Sequence, residues 1–341
     1  MIASTKKVSR KDVAKAAGVS LTTVTHALSG TPGTRVKKET VELVKRVAAE
    51  MDYRPNFIGH ALRTGRNCII GVLQPEPSSI QYSYYQDMYM GLSEAMEPDD
   101  YNMLMLFRKK DFSYMRVIEQ GRVDGVVIIQ SDLDDSHIDK VAASGIPTVV
   151  INKLVDTEKF PNLACVCPDY DKFVHDLVED FKDTGCKSIL AIHDYIRDDA
   201  NVNMYNAFND VLKKHVVSGI SGATIVPDRD NFKAQCTNIF RPGQRWDGIF
   251  IDSSSFANTL IEAASECRIE AGKDFILITT NTSKNQFTCK SLEYSFYSQQ
   301  GQQMGREAWK LLSSILNDDI ENKTVLVPYF RQLVNDSIKR V

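Results

Sequence analysis

VAKAAGVSLTTVTHAL (residues 13–28) contains two short helical patterns on either side of a Gly-Val-Ser break. Ser9 and Asp12 form the pattern of a capping box ahead of the first helix, and Gly18 suits the left-handed residue that ends a helix. Ser20 is a favourable N-cap for the second helix. Two short helices joined by a tight turn are typical of the helix-turn-helix unit, whose second helix enters the major groove of DNA.

The second helix begins with polar side chains that a packed helix does not need. Val24 and Leu28 are predicted to face inward, whereas Leu21, Thr22 and His26 point outward, where they can contact base edges. The alternative interpretation is a three-helix bundle whose threonines are merely solvated.

The charge distribution favours DNA binding. The 341 residues have a net charge of −3, yet residues 1–66 contain thirteen Lys or Arg against five Asp or Glu. The remaining residues carry a net charge of −11. A basic head on an acidic body predicts that the head binds a polyanion.

The composition narrows the class of protein further. A hydrophobic content of 43% is normal for a globular chain, and 341 residues predict two or three domains. There is no apolar window of about 18 residues and no apolar N-terminal leader, so we expect neither a membrane span nor a signal peptide. The seven cysteines show no metal-ligand spacing, which predicts structural thiols, no metal or cofactor, and a reducing cytoplasm.

From residue 69 onward, short β-rich runs alternate with amphipathic helical patterns. This alternation is typical of parallel sheets covered by helices on both faces, and the number of runs fits two lobes. TVLVPYF (324–330) is expected to supply one returning strand. The other predicted strands are IIGVL (69–73), MLMLF (103–107), VVII (126–129), TVVI (148–151), SILAI (188–192), GIFI (248–251) and FILIT (275–279).

Three segments together resemble the lactose-repressor (LacI/GalR) family of bacterial transcription regulators: DVAKAAGVSLTTVTHAL (12–28), DYRPNFIGHALRTGRNCIIGVL (52–73) and MGREAWKLL (304–312). The resemblance implies an α/β protein with an all-α helix-turn-helix headpiece at 1–54. It also implies a hinge helix and linker at 55–66 and a two-lobed body with parallel sheets at 67–341, like type I periplasmic binding proteins. Members of this family act as homodimers or tetramers on double-stranded operator DNA under the control of a small-molecule effector.

The resemblance implies roles for residues of the head and hinge. Leu62 matches a leucine that wedges into the minor groove and kinks the DNA, with packing in a linker helix as the alternative. Lys37 replaces a frequent capping serine, and a lysine there can contact phosphate instead. The predicted DNA-binding residues are Ser20, Leu21, Thr22, Thr23, Thr25, His26, Asn56, His60, Leu62 and Arg63.

Candidate effector contacts follow the strands of the body, because ligands of open α/β sheets bind beyond the carboxyl ends of the strands. The resemblance adds cleft positions and also shows departures from the anchors that hold sugar hydroxyls in relatives. Met204 stands where relatives carry an arginine, Ser253 and Ser254 where they carry an Asn-Asp pair, and Asn281 or Thr282 where they carry an acidic residue. We therefore expect a neutral or weakly polar ligand rather than an acid or an ordinary hexose. The predicted effector-binding residues are Tyr84, Tyr85, Arg108, Gln130, Asn152, His193, Met204, Phe232, Asp252, Ser253, Asn281 and Gln299.

The sequence contains no GxGxxG, P-loop, HExxH or GxSxG motif, so an enzyme is not expected. The prediction is a sequence-specific transcriptional regulator, a repressor, whose DNA affinity depends on a sugar-like effector bound between two lobes. A DNA-bound regulator whose body binds a protein partner or no ligand is the alternative, because the charged anchors are missing.

Overall fold

The computed structural model describes residues 8–29, 36–54, 61, 64–129, 134–193, 199–215, 219–241, 243, 245–252, 254–281 and 295–332. The chain divides into two compact units, Met1–Asn67 and Cys68–Val341. Six predicted site residues lie outside the described residues, namely Asn56, His60, Leu62, Arg63, Gln130 and Ser253.

The first unit is helical and has a small apolar core. Val13, Val24 and Val44, one from each helix, are fully buried. Burial of one face of each short helix provides most of the stability, because isolated helices of this length are marginal in water. The helices are α1 (Arg10–Ala17), α2 (Leu21–Ser29) and α3 (Lys38–Glu50).

The ends of α1 follow the sequence prediction. The Asp12 N–H donates to the Ser9 hydroxyl, and the Asp12 carboxylate accepts from the Ser9 N–H at 2.8 Å, which completes the capping box. Gly18 ends the helix with a φ of 65°, and its N–H donates to the Ala14 carbonyl. The backbone groups at both ends of the helix are thereby satisfied, and the chain turns directly into α2.

The second unit consists of strands and helices in alternation, and all seven predicted runs overlap strands. The strands are β1 (Ile69–Gln74), β2 (Asn102–Phe107), β3 (Gly125–Ile129), β4 (Thr148–Ile151), β5 (Leu163–Pro168), β6 (Ser188–Ile192), β7 (Ser221–Ile225), β8 (Gly248–Ile251), β9 (Ile276–Asn281), β10 (Ser295–Ser298), β11 (Thr324–Val327) and β12 (Phe330–Gln332). The α-helices are α4 (Ser83–Met96), α5 (Met115–Glu119), α6 (Ser136–Ala142), α7 (Tyr170–Asp183), α8 (Asp199–His215), α9 (Phe232–Ile239), α10 (Ser254–Glu266) and α11 (Gly301–Leu316).

The strands form two six-stranded sheets, in the orders β11-β5-β4-β3-β1-β2 and β12-β10-β9-β8-β6-β7. Neighbouring strands are parallel except for β10 and β12. We call the first sheet and its helices the first lobe, and the second sheet and its helices the second lobe. Apolar clusters cover both faces of each sheet, which explains why central strands such as β3 and β8 are buried along their whole length.

The chain passes between the two sheets three times, after β5, after β10 and after β11. The prediction of one returning strand in TVLVPYF is corrected to two strands. Thr324–Val327 pairs with β5, whereas Phe330–Gln332 pairs antiparallel with β10 in the other sheet. Pro328 separates them, because a residue without an N–H cannot continue a strand ladder.

Helices α4 and α11 pack against each other at glycines. A Cβ atom at Gly305 would overlap the Met88 carbonyl oxygen, and one at Gly91 would overlap the Gln302 carbonyl oxygen. The two backbones approach this closely only because neither glycine has a side chain. This contact attaches α11, which comes late in the sequence, to the start of the first lobe.

The fold expected from the sequence, an all-helical head followed by a two-lobed α/β body with parallel sheets, is confirmed. In the part of the chain that the structure describes, no helix is long and apolar enough to cross a membrane. The same residues contain no group of three His, Cys, Asp or Glu arranged to hold a metal ion.

Candidate nucleic-acid interface and effector site

The hydroxyl groups at the start of α2 stabilise the helix. The Ser20 hydroxyl accepts from the Thr23 N–H at 3.1 Å, and the Ser20 and Thr23 hydroxyls lie 2.8 Å apart. The Thr25 hydroxyl donates to the Leu21 carbonyl at 2.9 Å. Since a hydroxyl both donates and accepts, each of the three keeps capacity for a second contact such as a phosphate oxygen.

Three other side chains of α2 face solvent. Leu21 is 43% exposed, and Thr22 and His26 are also exposed. No acidic residue lies in the first turn of α2, so the positive end of the helix dipole is not neutralised locally. This end of α2 offers an apolar group, a hydroxyl and an imidazole beside a helix terminus that attracts phosphate.

The start of α3 shows the predicted departure. Lys37 is the N-cap residue, with φ −61° and ψ 145°, and its side chain makes no capping hydrogen bond. A lysine side chain has no acceptor, so it cannot satisfy the first N–H groups of α3. The exposed ammonium group adds to the positive charge of the first unit instead.

In the first lobe, the structure brings Tyr84, Tyr85 and Asn152 together. The Tyr84 hydroxyl donates to Asn152 Oδ1 at 2.5 Å, and the Tyr84 and Tyr85 ring centroids are 5.8 Å apart. Asn152 directly follows β4 with a φ of 75°, a left-handed conformation that asparagine adopts more easily than most residues. Burial, reinforced by the neighbouring Tyr329, raises the pKa of Tyr84 well above its ordinary value, so the phenol remains a donor.

The cationic side chains that follow β2 and β4 bond to other protein groups. Arg108 Nη2 donates to the Ile129 carbonyl at 2.9 Å. Lys153 is buried and forms an ion pair with Asp135. An anionic ligand would have to compete with these partners, which makes either cation a poor anchor for a carboxylate or phosphate.

In the second lobe, the structure pairs His193 with Asp252. Strands β6 and β8 are neighbours, and the residues that follow them meet with His193 Nδ1 at 2.9 Å from Asp252 Oδ2. The two side chains are 0% and 1% exposed. A buried carboxylate and imidazole that hydrogen-bond each other form a polar pair of fixed orientation at the carboxyl edge of the sheet.

The remaining candidates of the second lobe are packed differently from one another. Met204 is buried in an apolar cluster with residues of α7 and α8. The ring centroids of Phe232 and Phe256 are 4.2 Å apart. Asn281 is the last residue of β9 rather than the residue after it. Phe232 is therefore a buried core residue in this conformation, where its ring faces another protein ring.

Gln299 lies on a crossover and contacts a residue that the sequence did not single out. Its Nε2 donates to the Tyr329 hydroxyl at 3.0 Å, and Tyr329 stacks on Phe173 with the ring centroids 4.2 Å apart. Tyr329 lies between β11 and β12, where a single strand had been expected, so no signal marked it as a crossover residue. Gln74, the last residue of β1, is fully buried and accepts from the Tyr89 hydroxyl.

Two protein-family models match the chain. Residues 10–56 match the model described as bacterial regulatory proteins, lacI family. Residues 67–217 match periplasmic binding proteins and the sugar binding domain of the LacI family. The first range contains the exposed residues of α2, and the second contains Tyr84, Asn152 and His193.

Similar proteins extend over almost the whole length. Catabolite control protein A of Priestia megaterium is 21% identical over 94% of this chain and 97% of its own. The HTH-type transcriptional regulator RegA of Clostridium saccharobutylicum is 27% identical over 90% of this chain and 92% of its own. Both of these relatives carry the names of regulators rather than of enzymes.

Solved structures share the fold. The lac repressor dimer bound to operator and the anti-inducer ONPF superposes with a TM-score of 0.73 at 16% identity, covering 98% of this chain and 99% of that chain. The complex of the transcriptional regulator CelR with cellobiose has a TM-score of 0.65 at 18% identity, covering 97% of this chain and 100% of that chain. At these identities the similarity establishes the architecture of the chain.

Proposed function

This chain belongs to the lacI family of bacterial regulatory proteins, and from that premise we propose that it is a repressor that acts as a homodimer on double-stranded operator DNA. The helical head at 1–54 binds the operator, the segment at 55–66 forms the hinge, and the body at 67–341 binds a small-molecule effector. The effector changes the affinity for DNA, for which a coupling of about 1–3 kcal/mol is sufficient.

The observation that carries the DNA-binding proposal is the exposed end of α2. Leu21, Thr22 and His26 face outward, whereas the hydroxyls of Ser20, Thr23 and Thr25 bond within the first turns of the helix. Their chemistry matches the major groove, where a thymine methyl accepts apolar contacts and base edges offer hydrogen-bond donors and acceptors. Asn56, His60, Leu62 and Arg63 are proposed hinge contacts on the basis of the family resemblance.

Selection of binding sites from random double-stranded DNA with the full chain tests this interface. A homodimer should enrich two related half-sites, because the symmetry of the site mirrors the symmetry of the protein. The double variant Thr22→Ala/His26→Ala should enrich different bases, whereas Lys45→Ala, an exposed residue of α3, should leave the consensus unchanged. No enrichment of any sequence by the wild-type protein would contradict the proposal.

For the effector we propose an uncharged, hydrogen-bonding compound related to a sugar. Arg108 and Lys153 are engaged with Ile129 and Asp135, and Met204 offers no charge. The groups that remain are phenols, amides and the pair of His193 with Asp252, which suit directed hydrogen bonds to neutral groups. The sugar-binding family model and the cellobiose complex of a relative of the same fold support this class of ligand.

Calorimetry on the full-length protein tests the effector proposal. The probes are cellobiose, maltose and ribose as uncharged sugars, with glucuronate and glucose 6-phosphate as anionic counterparts. At least one uncharged probe should bind and change operator affinity. Tight binding of an anionic probe that is lost in Arg108→Ala or Lys153→Ala would replace this proposal with an acidic effector. A chain that binds DNA and none of the probes would favour a body that binds a protein partner or no ligand.

A further inference from the structure

We propose that the effector is held by two buried atoms, Nε2 of Gln74 as a donor in the first lobe and Nε2 of His193 as an acceptor in the second. The ligand class that fits both is an uncharged polyhydroxyl compound, because a hydroxyl group donates and accepts. This inference rests on the proposed effector site and specifies which atoms determine its selectivity.

The two atoms occupy corresponding places in the two lobes. Gln74 ends β1, which lies between β3 and β2, and His193 follows β6, which lies between β8 and β7. Both side chains are 0% exposed. Among the residues that the structure describes, neither Nε2 atom has a hydrogen-bond partner. Ligands of parallel α/β sheets bind at this edge, beyond the carboxyl ends of the strands.

The partner of each side chain determines what its free nitrogen can do. Gln74 Oε1 accepts from the Tyr89 hydroxyl, so the Gln74 amide nitrogen faces away from that bond with two hydrogens to donate. Burial raises the pKa of Tyr89, which keeps its phenol protonated and the amide oriented.

In the second lobe, Asp252 selects the tautomer of His193. A carboxylate oxygen only accepts, so the proposal assigns the imidazole hydrogen to Nδ1, which lies 2.9 Å from Asp252 Oδ2. The lone pair then lies on Nε2. The main chain at both residues is held by the sheet, since the backbone N–H of His193 donates to the Ile225 carbonyl at 3.0 Å and the backbone N–H of Asp252 donates to the Ile192 carbonyl at 3.1 Å.

The described residues around His193 include three aromatic rings, and none of these residues bonds to Nε2. The rings of Tyr205, Phe208 and Phe250 lie edge-on to the imidazole, with centroids 5.6, 5.8 and 6.2 Å away. An acceptor buried against aromatic rings without a hydrogen bond costs free energy that a ligand hydroxyl would recover. A carboxylate or phosphate dianion cannot donate to Nε2, so the lone pair of His193 selects against it.

Burial of His193 also links binding to a change of conformation. An effector reaches Nε2 only when the groups that cover the imidazole move apart. A ligand that binds this uncovered state more tightly than the covered state shifts the population toward it. Regulation of a repressor requires such a difference in affinity between two conformations.

The first experiment compares variants of the full-length protein by calorimetry with cellobiose, maltose and ribose. His193→Phe keeps a buried ring and removes the acceptor, and Gln74→Leu removes the donor. Each substitution should lower the affinity for the probe that binds the wild-type protein by at least tenfold. The control His175→Phe, on the exposed surface of α7, should leave that affinity unchanged. A deoxyfluoro analogue of that probe lacks the donating hydroxyl. It should bind the wild-type protein more weakly than the probe by the same factor, and it should bind His193→Phe no more weakly than the probe does.

The second experiment determines the tautomer directly and needs no ligand. Nitrogen-15 NMR of the histidine-labelled full chain, with His193→Gln for assignment, should show a hydrogen on Nδ1 and none on Nε2. A hydrogen on Nε2 overturns the inference, as does a sugar that binds His193→Phe as tightly as the wild type. If no sugar binds the wild type, the neutral sugar of the proposed function is wrong, and the tautomer alone supports or overturns the role assigned to His193.

Discussion

In α2, some side chains stabilise the helix and others are exposed and available to bind DNA. Ser20 and Thr25 bond to neighbouring atoms of the helix, so their loss should be felt first as a less stable head. Thr22 and His26 are exposed and contribute little to the core. Substitutions at these two positions should therefore change DNA recognition without unfolding the protein.

We predict that His26→Ala relaxes sequence preference at one base pair per half-site by about 1–3 kcal/mol. The imidazole can bond to a base edge, whereas alanine cannot, and the exposed position carries no packing role. Competition between selected and single-base-substituted operators measures the effect. Thr25→Ser, which keeps the hydroxyl bonded to the helix, is the matched control. An unchanged consensus in His26→Ala would show that His26 is not a base-reading residue.

Lys37 leads to a prediction with two opposite effects. Lys37→Ser supplies the missing N-cap of α3 and should stabilise the head by about 0.5–2 kcal/mol, while it should reduce the salt dependence of DNA binding by about one charge. Thermal unfolding and salt titrations of the same protein measure both effects. Lys37→Ala removes the ammonium group without adding a cap, so it should show only the second effect. A stability gain in Lys37→Ala would mean that charge repulsion, rather than capping, limits α3.

Local patterns made the head predictable, and long-range pairing limited the prediction of the body site. The capping box of Ser9 and the turn at Gly18 depend on atoms within a few residues, and both were predicted. His193 and Asp252 were each identified as residues after strands, but their hydrogen bond joins positions 59 residues apart. That contact depends on β6 and β8 being neighbours, which no local pattern encodes. The roles of both residues stay predictions.

At the scale of elements, burial alone does not explain which strands the sequence revealed, because the edge strand β2 was predicted and the fully buried β5 was not. The predicted runs include the fully buried β4 and β8, whose apolar residues are continuous. Strand β7 lies at the edge of its sheet and has exposed or half-buried positions throughout, so SGATI lacks an apolar run. Strand β12 is likewise an edge strand of three residues.

The contact between α4 and α11 gives a prediction at this scale. Gly305→Ala should destabilise the body by about 1–3 kcal/mol or more, because the new Cβ atom collides with backbone atoms of α4 that cannot rotate away. Denaturant unfolding of the full chain measures the loss. Ser313→Ala, on the half-buried side of α11, should stay within about 0.5 kcal/mol of the wild type. Equal stabilities for both variants would mean that α11 shifts without cost.

Across the whole molecule, positive and negative charge are separated along the chain, and we expect this separation to govern association with DNA. The first 66 residues are strongly basic, whereas the rest of the chain is acidic. The acidic body repels phosphate, so only the head should contribute to non-specific attraction. We therefore expect encounters with DNA to lead to binding when the head meets the DNA first.

We therefore predict a steep dependence of operator affinity on salt. If the dimer neutralises six to ten phosphates, affinity should fall roughly 10³–10⁵-fold between about 50 and 200 mM salt. Fluorescence anisotropy with the selected operator measures the slope. Binding of the uncharged sugar probe to the same protein should change little over this range. A shallow slope would indicate that base contacts and hinge packing, rather than phosphate contacts, provide most of the affinity.

The three passages of the chain between the two sheets have a consequence for synthesis on the ribosome. The head leaves the exit tunnel first and needs nothing that follows, whereas the first lobe lacks α11 and β11 until residues 301–327 have been translated. Until then β5 is an unpaired edge and the apolar faces that α11 covers are open to other nascent chains. A message truncated before this segment would thus release a chain with a complete DNA-binding head and an aggregation-prone body, a product that quality-control proteases must remove before it occupies operators.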